Sequence, residues 1–138
     1  MRRKMLILNG NTIVNSVPHA IRIRLKSGKF ITIPPSKEFQ IRLGSKYKVL
    51  SCEEGIEFAE MSFYDRANVF KSFSIDYENK KILFMNYEFE ANTVIICSKL
   101  VALYAKELGL PKGIFAVPEG IKFEKSRHKY CKRLAFLK

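Results

Sequence analysis

Residues 93–109, Thr-Val-Ile-Ile-Cys-Ser-Lys-Leu-Val-Ala-Leu-Tyr-Ala-Lys-Glu-Leu-Gly, decide the fold. Val94, Ile95 and Ile96 are consecutive β-branched residues, the pattern of a strand covered on both faces. Ser98 follows as an N-cap hydroxyl. Leu100, Leu103, Tyr104 and Leu108 then recur at helical spacing until Gly109 and Pro111 end the run. The stretch reads as a buried strand passing directly into a helix over about residues 98–109. A helix start offers unpaired N–H groups and the positive end of the aligned peptide dipoles, so Ser98 and Lys99 are a candidate anion site. An ordinary capped helix accounts for the same residues without a ligand.

Upstream, residues 20–25 alternate, with Ile21, Ile23 and Leu25 on one face and Arg22 and Arg24 on the other, joined by Lys26. Ser27-Gly28 is a tight turn and residues 30–33 the returning strand, which makes a hairpin. Strand rise places Arg22 and Arg24 about 6.6 Å apart, comparable to successive phosphates of a single strand. Pro34-Pro35 interrupts the ladder, since neither proline donates a backbone hydrogen bond. Phe39, Ile41 and Leu43 then alternate with Gln40 and Arg42, and residues 47–50 read as a further strand. A short first strand over residues 5–8 precedes a turn at Asn9-Gly10-Asn11.

Residues 51–92 contain turns at Glu53-Glu54-Gly55 and Glu78-Asn79-Lys80 and a buried strand at 82–86. Residues 58–73 admit either a strand pair or an irregular excursion with a short helix. Beyond the helix, Pro118-Glu119-Gly120 separates strands at 114–117 and 121–124, and residues 130–136 read as a closing strand. The expected fold is a single α+β domain over residues 1–138, a mainly antiparallel sheet or partly open barrel with one principal helix.

The formal net charge of +12 is segregated along the chain. Residues 1–48 carry +10, residues 49–98 carry −5, and residues 99–138 carry +7. If the first and last thirds meet, one surface is strongly cationic and suits a polyanion; scattered solubilising lysines are the competing reading. The polyanion-binding candidates are Arg22, Arg24, Lys26, Arg42, Lys125, Arg127, Lys129, Lys132 and Arg133. Phe123 and Tyr130 lie among the last of these. Lysine and arginine neutralise phosphates while aromatics stack on unpaired bases, a combination for single-stranded nucleic acid; the same aromatics also suit a core. No helix-turn-helix, zinc-finger or RNA-recognition signature marks sequence-specific readout.

Five separated motifs occur in a fixed order: Asn15-Ser-Val-Pro-His19, Ile33-Pro-Pro-Ser36, Ile95-Ile-Cys-Ser98, Ala116-Val-Pro-Glu-Gly120 and Tyr130-Cys-Lys-Arg133. In these the chain resembles small proteins encoded by tailed phages, from about residue 13 to the C-terminus but without a match over residues 51–92. Val17 stands where that pattern has Thr, Lys37 where it has Gly, and Leu110-Pro-Lys-Gly113 where it has an acidic segment. The resemblance implies a virus- or prophage-encoded accessory or host-interaction protein working in the host cytoplasm, and it assigns no catalytic residue.

His19 and His128, the two histidines, are candidates for acid–base cleavage of a phosphodiester, against the reading that His19 bonds a neighbouring carbonyl and His128 sits in a solvated basic turn. Cys52, Cys97 and Cys131 form no C-x-x-C pair, so neither a disulfide framework nor a metal site is indicated, and free thiols fit a reducing compartment. No cofactor motif is present. The apolar run after residue 4 stops at Asn9, short of a signal peptide, and Lys99 interrupts the later one, so no membrane span is expected. The expected partner is nucleic acid, with a small phosphorylated nucleotide as the alternative ligand. Self-association through exposed strand edges is a further expectation.

Overall fold

The computed structural model describes residues 6–8, 10–66, 68–84, 86–124 and 128–138, the side chains of Leu6, Glu124 and His128 excepted. Its centre is the strand expected from the quoted stretch. This strand, β10 (Thr93–Ile96), is flanked in parallel by β2 (Asn11–Asn15) on one side and β11 (Phe115–Glu119) on the other. Antiparallel strands close both edges: β1 (Leu6–Leu8) beside β2, and β14 (Arg133–Phe136) beside β11. The five-stranded sheet is an open, strongly curled half-barrel. Among the described residues strand makes up 51% against one helix, so the fold is α+β with a partly open barrel.

Alternation along β10 explains why it needs three β-branched residues in a row. Ile95 packs into one core with Val14, Phe115 and Val117, whereas Val94 and Ile96 face a second core with Ile13 and Ala116. The first core is covered by α1 (Lys99–Glu107), whose Val101, Ala102 and Ala105 are buried. It is extended by a small antiparallel sheet of β7 (Ser74–Asp76), β8 (Lys81–Leu83) and β9 (Glu88–Glu90), and by a cluster of rings in which Phe39 meets Phe84, Tyr87 and Phe89. The second core is covered by the hairpin of β3 (Ile21–Arg24) and β4 (Phe30–Ile33), which contributes Ile21, Ile23 and Ile33. Burying β10 on both sides gives its small strand the weight of a full core, since each aliphatic side chain removed from water stabilises by about 1.5–3 kcal/mol.

The helix begins and ends as its caps dictate. The Ser98 Oγ accepts from the Val101 N–H at 3.2 Å, Leu108 is the C-cap, and Gly109 takes the left-handed conformation with φ +79°.

Several local expectations require correction. Phe39 and Ile41 are buried and Arg42 is exposed, as the alternation implies, yet residues 39–42 form no strand. The Ile41 N–H instead donates to the Ser16 carbonyl, because Pro34-Pro35 has already led the chain out of the sheet. The closing strand divides into β13 (His128–Tyr130), which pairs with β12 (Lys122–Glu124), and β14, with Cys131 between them. The strand expected at 47–50 belongs to a much longer one, β5 (Leu43–Glu53), which pairs with β6 (Ile56–Asp65). Residues 58–73 form neither a strand pair nor a short helix: β6 continues to Asp65, paired with β5 outside this range, and the described residues from 66 to 73 are turns and irregular chain. Met5, part of the expected first strand, lies outside the described residues.

Candidate functional site

The parallel strands β2, β10 and β11 run in one direction, so the loops leaving their carboxyl ends gather at one edge of the sheet. In open α/β arrangements this edge is where ligands bind, because the chain there changes direction and leaves a crevice. Here the loops enclose a cleft of about 560 Å³. Val17, His19 and Ala20 follow β2; Cys97, Ser98 and Lys99 follow β10; Val117 and Pro118 come from β11; Arg22 and Lys129 through Cys131 form the outer wall.

The loop after β2 is held by buried polar groups. Asn15 is 2% exposed, and its side-chain amide donates to the carbonyls of His19 (2.9 Å) and Ile33 (3.1 Å) while its oxygen accepts from the Val17 N–H (3.0 Å). Ser16 is fully buried, and both its hydroxyl (2.7 Å) and its N–H (2.9 Å) donate to the Ile96 carbonyl. With every member paired, such a network fixes one loop geometry. Asn15 and Ser16 are thus the positioning residues that sequence reasoning missed; their signal was the uninterrupted polar pair between Val14 and Val17.

The outer wall is the exposed face of a composite sheet. Cys131 bridges to Ile23, with the Cys131 N–H donating to the Arg22 carbonyl (2.9 Å) and the Arg24 N–H to the Cys131 carbonyl (3.0 Å). The last third of the chain is therefore laid beside the first, and the two basic regions do meet. Cys131 faces inward with Ile23, so strand alternation turns Tyr130 outward with Arg22 and Arg24. The Arg22 guanidinium lies 3.8 Å from the centre of the Phe30 ring, and Phe30 meets Tyr130 edge to face at 5.3 Å. A second depression of about 270 Å³, lined by Arg24, Gly28, Phe30, Phe123 and Tyr130, shares the Tyr130 wall with the cleft. Phe123 is 66% exposed, so its ring is not a core residue.

Of the sequence candidates, His19, Arg22, Ser98, Lys99 and Lys129 line the cleft, and Arg24 lines the adjoining depression. Arg42 is elsewhere, beside Lys37, Gln40 and Phe84, and donates to the Gln40 side chain at 3.0 Å. Lys26 is exposed at the hairpin turn, and Lys132 and Arg133 are exposed at the start of β14, with Arg133 opposite Glu119. Lys125 and Arg127 lie outside the described residues, as does the His128 side chain. The His19 Nδ1 is 3.2 Å from the Ala20 carbonyl, the neighbouring-carbonyl arrangement weighed against catalysis. The Ser98 hydroxyl is occupied as a cap, so an anion at this helix start meets the N–H groups of the first turn and the Lys99 ammonium.

Comparison with protein-family models, curated proteins and solved structures finds no match for this chain. Its chemistry is therefore read from its own groups. Burial pushes the Cys97 thiol up to about 12 and raises that of Cys131, so neither supplies a thiolate to the cleft near neutral pH. Among the described residues no three His, Cys, Asp or Glu side chains are grouped to hold a metal ion, and no helix is long and apolar enough to cross a membrane. What the cleft and the adjoining depression offer together is cationic groups, first-turn N–H groups, the half-buried Tyr130 ring and the exposed Phe123 ring.

Proposed function

We propose that this chain binds single-stranded nucleic acid along the surface running from the start of α1 to Phe123, and that its role is binding rather than turnover. The observation that carries this reading is the adjacency of the two depressions across Tyr130, with Arg22, Arg24, Lys99 and Lys129 beside Phe30, Tyr130 and Phe123. Cations placed about the spacing of successive phosphates neutralise the backbone, and aromatic faces receive unstacked bases with little regard to sequence. Such a partner suits the virus- or prophage-encoded accessory role that the motif resemblance implies.

A labelled single-stranded RNA or DNA titrated over a salt series tests it. Neutralising about four phosphates gives a slope near −3 in log affinity against log salt, at roughly −0.7 per phosphate for single strands. A small phosphorylated nucleotide is the second reading, favoured by the position of Lys99 and the helix start at the carboxyl ends of parallel strands. It predicts tight binding of a mononucleotide or dinucleotide with weak salt dependence and no gain from a longer strand. Release of shortened products from either ligand would replace both with a hydrolytic role for His19 or His128.

A further inference from the structure

The end of α1 and the chain that turns back into β11 enclose a hollow of about 240 Å³. It lies at the opposite end of the helix from the cleft, about 13 Å away along nine residues of helical rise. Ala102, Ala105 and Lys106 reach it together because residues three and four apart share one side of a helix. Gly113, at φ +89°, turns the chain back toward the sheet and leaves Leu110 in the wall. Phe115 of β11, Phe136 of β14 and the following Leu137 complete the apolar lining.

The charge of the hollow has one sign. Lys106, Lys112 and Lys138 line it, whereas among the described residues no Asp or Glu does. None of these three ammoniums is paired with a carboxylate among the described residues. The helix end is largely closed without them, since the carbonyls of Tyr104, Ala105 and Lys106 accept from the N–H groups of Leu108, Leu110 and Gly109 at 3.0–3.1 Å. Unpaired like charges around an apolar hollow suit an anion that brings an apolar group with it. Nucleic acid fits poorly, because unpaired bases need exposed ring faces. Here Phe115 is buried, Phe136 is 46% exposed, and the rest of the apolar lining is aliphatic. At Gly109 and Gly113 there is open space where a side chain would stand, so a second backbone can lie close.

We propose that this hollow is a second binding site, independent of the nucleic-acid surface, and that its ligand is an acidic stretch of another protein. One aliphatic side chain of that stretch enters the hollow, and the carboxylates flanking it meet Lys106, Lys112 and Lys138. The hollow is smaller than the about 300–1,000 Å³ of sites for drug-sized molecules, which matches a single anchoring side chain. Exposed ion pairs each contribute little, so binding is modest and the anchor carries the discrimination.

Fluorescence anisotropy of the labelled peptide Asp-Glu-Leu-Glu-Asp with the full chain tests the proposal, in about 0.15 M salt so that charges more than about 8 Å apart are screened. The peptide should bind, and about tenfold more weakly when its leucine is replaced by alanine, a comparison that needs no variant of the protein. Lys112→Glu with Lys138→Glu, both outside helix and strand, should weaken the peptide by about tenfold and leave a single-stranded RNA decamer unaffected. Arg24→Glu with Lys99→Glu should leave the peptide unaffected. No binding of the leucine peptide, equal binding of both peptides, or loss of the peptide on Arg24→Glu with Lys99→Glu overturns the proposal. Loss of the RNA instead of the peptide on Lys112→Glu with Lys138→Glu also overturns it, and gives the hollow to nucleic acid.

Discussion

Two hairpins in this protein are built by the same alternation and meet opposite fates. In β3–β4 the apolar face is spent inside the molecule, with Ile21, Ile23 and Ile33 buried against Val94, Ile96 and Ala116, and the arginines left outside line the cleft (Arg22) and the adjoining depression (Arg24). The β5–β6 hairpin is instead an arm whose residues from Ser45 to Tyr64 are all exposed, with Tyr47, Val49, Met61 and Phe63 on one face and Tyr64, Phe58 and Ile56 on the other. The difference teaches that alternation specifies a two-faced ribbon and no more. Whether a ribbon becomes part of a fold depends on an unfilled sheet face within reach, and the half-barrel has only two faces, already taken by α1 and by β3–β4.

The comparison breaks most visibly in stability. Ile33→Ala in the docked hairpin should cost about 2–5 kcal/mol in denaturant unfolding, because Ile33 is 2% exposed and its removal leaves a cavity. Met61→Ala in the arm should stay within about 0.5 kcal/mol, because Met61 is exposed. Equal losses would mean that the arm folds back on the body. Binding should divide the same way: Tyr130→Ala should weaken a single strand by about 1–3 kcal/mol, the worth of one stacked base, while Tyr47→Ala leaves it unchanged. Arg24→Ala sharpens the test by lowering the salt slope without loss of packing, which Arg22→Ala cannot do because Arg22 also covers Phe30.

Smaller effects follow from the strand-to-helix unit. Ser98→Ala removes the cap on Val101 and should cost about 1 kcal/mol. The Cys97 thiol is raised from an ordinary 9.0 to about 12 by burial, so the unfolded chain loses its proton first. The associated stability is complete below about pH 9 and is lost as pH rises toward about 12, and Cys97→Ala should flatten that part of the melting-temperature profile. Alkylation reads the same contrast in native protein, with exposed Cys52 reacting and buried Cys97 and Cys131 protected.

The central strand and its helix were legible because each step has a local cause: three β-branched residues, one cap hydroxyl, one terminating glycine. The β3–β4 hairpin was legible for the same reason. The cleft was half legible. Sequence picked out His19, Arg22, Ser98, Lys99 and Lys129, but their meeting depends on Cys131 pairing beside Ile23 across more than a hundred residues, a non-local choice that no periodicity encodes. Arg42 shows the converse, since it alternates like the other arginines yet stands elsewhere after the chain leaves the sheet at Pro34-Pro35. The arm was read only in pieces, as a strand at residues 47–50, a turn at 53–55 and an undecided stretch from residue 58, because exposed aromatic and aliphatic residues imitate a core pattern.

The surface beside β3–β4, with Phe30, Tyr130 and Phe123, and the β5–β6 arm both carry aromatic rings, so ultraviolet cross-linking of a bound single-stranded oligonucleotide, followed by identification of the attached residue, distinguishes them most directly. Cross-links at Tyr130, Phe30 or Phe123 are predicted, lost in high salt and absent when Arg24 and Lys99 are both replaced by glutamate. Cross-links confined to Tyr47, Phe58 or Phe63 of the arm would contradict the assignment of nucleic-acid binding to the docked hairpin.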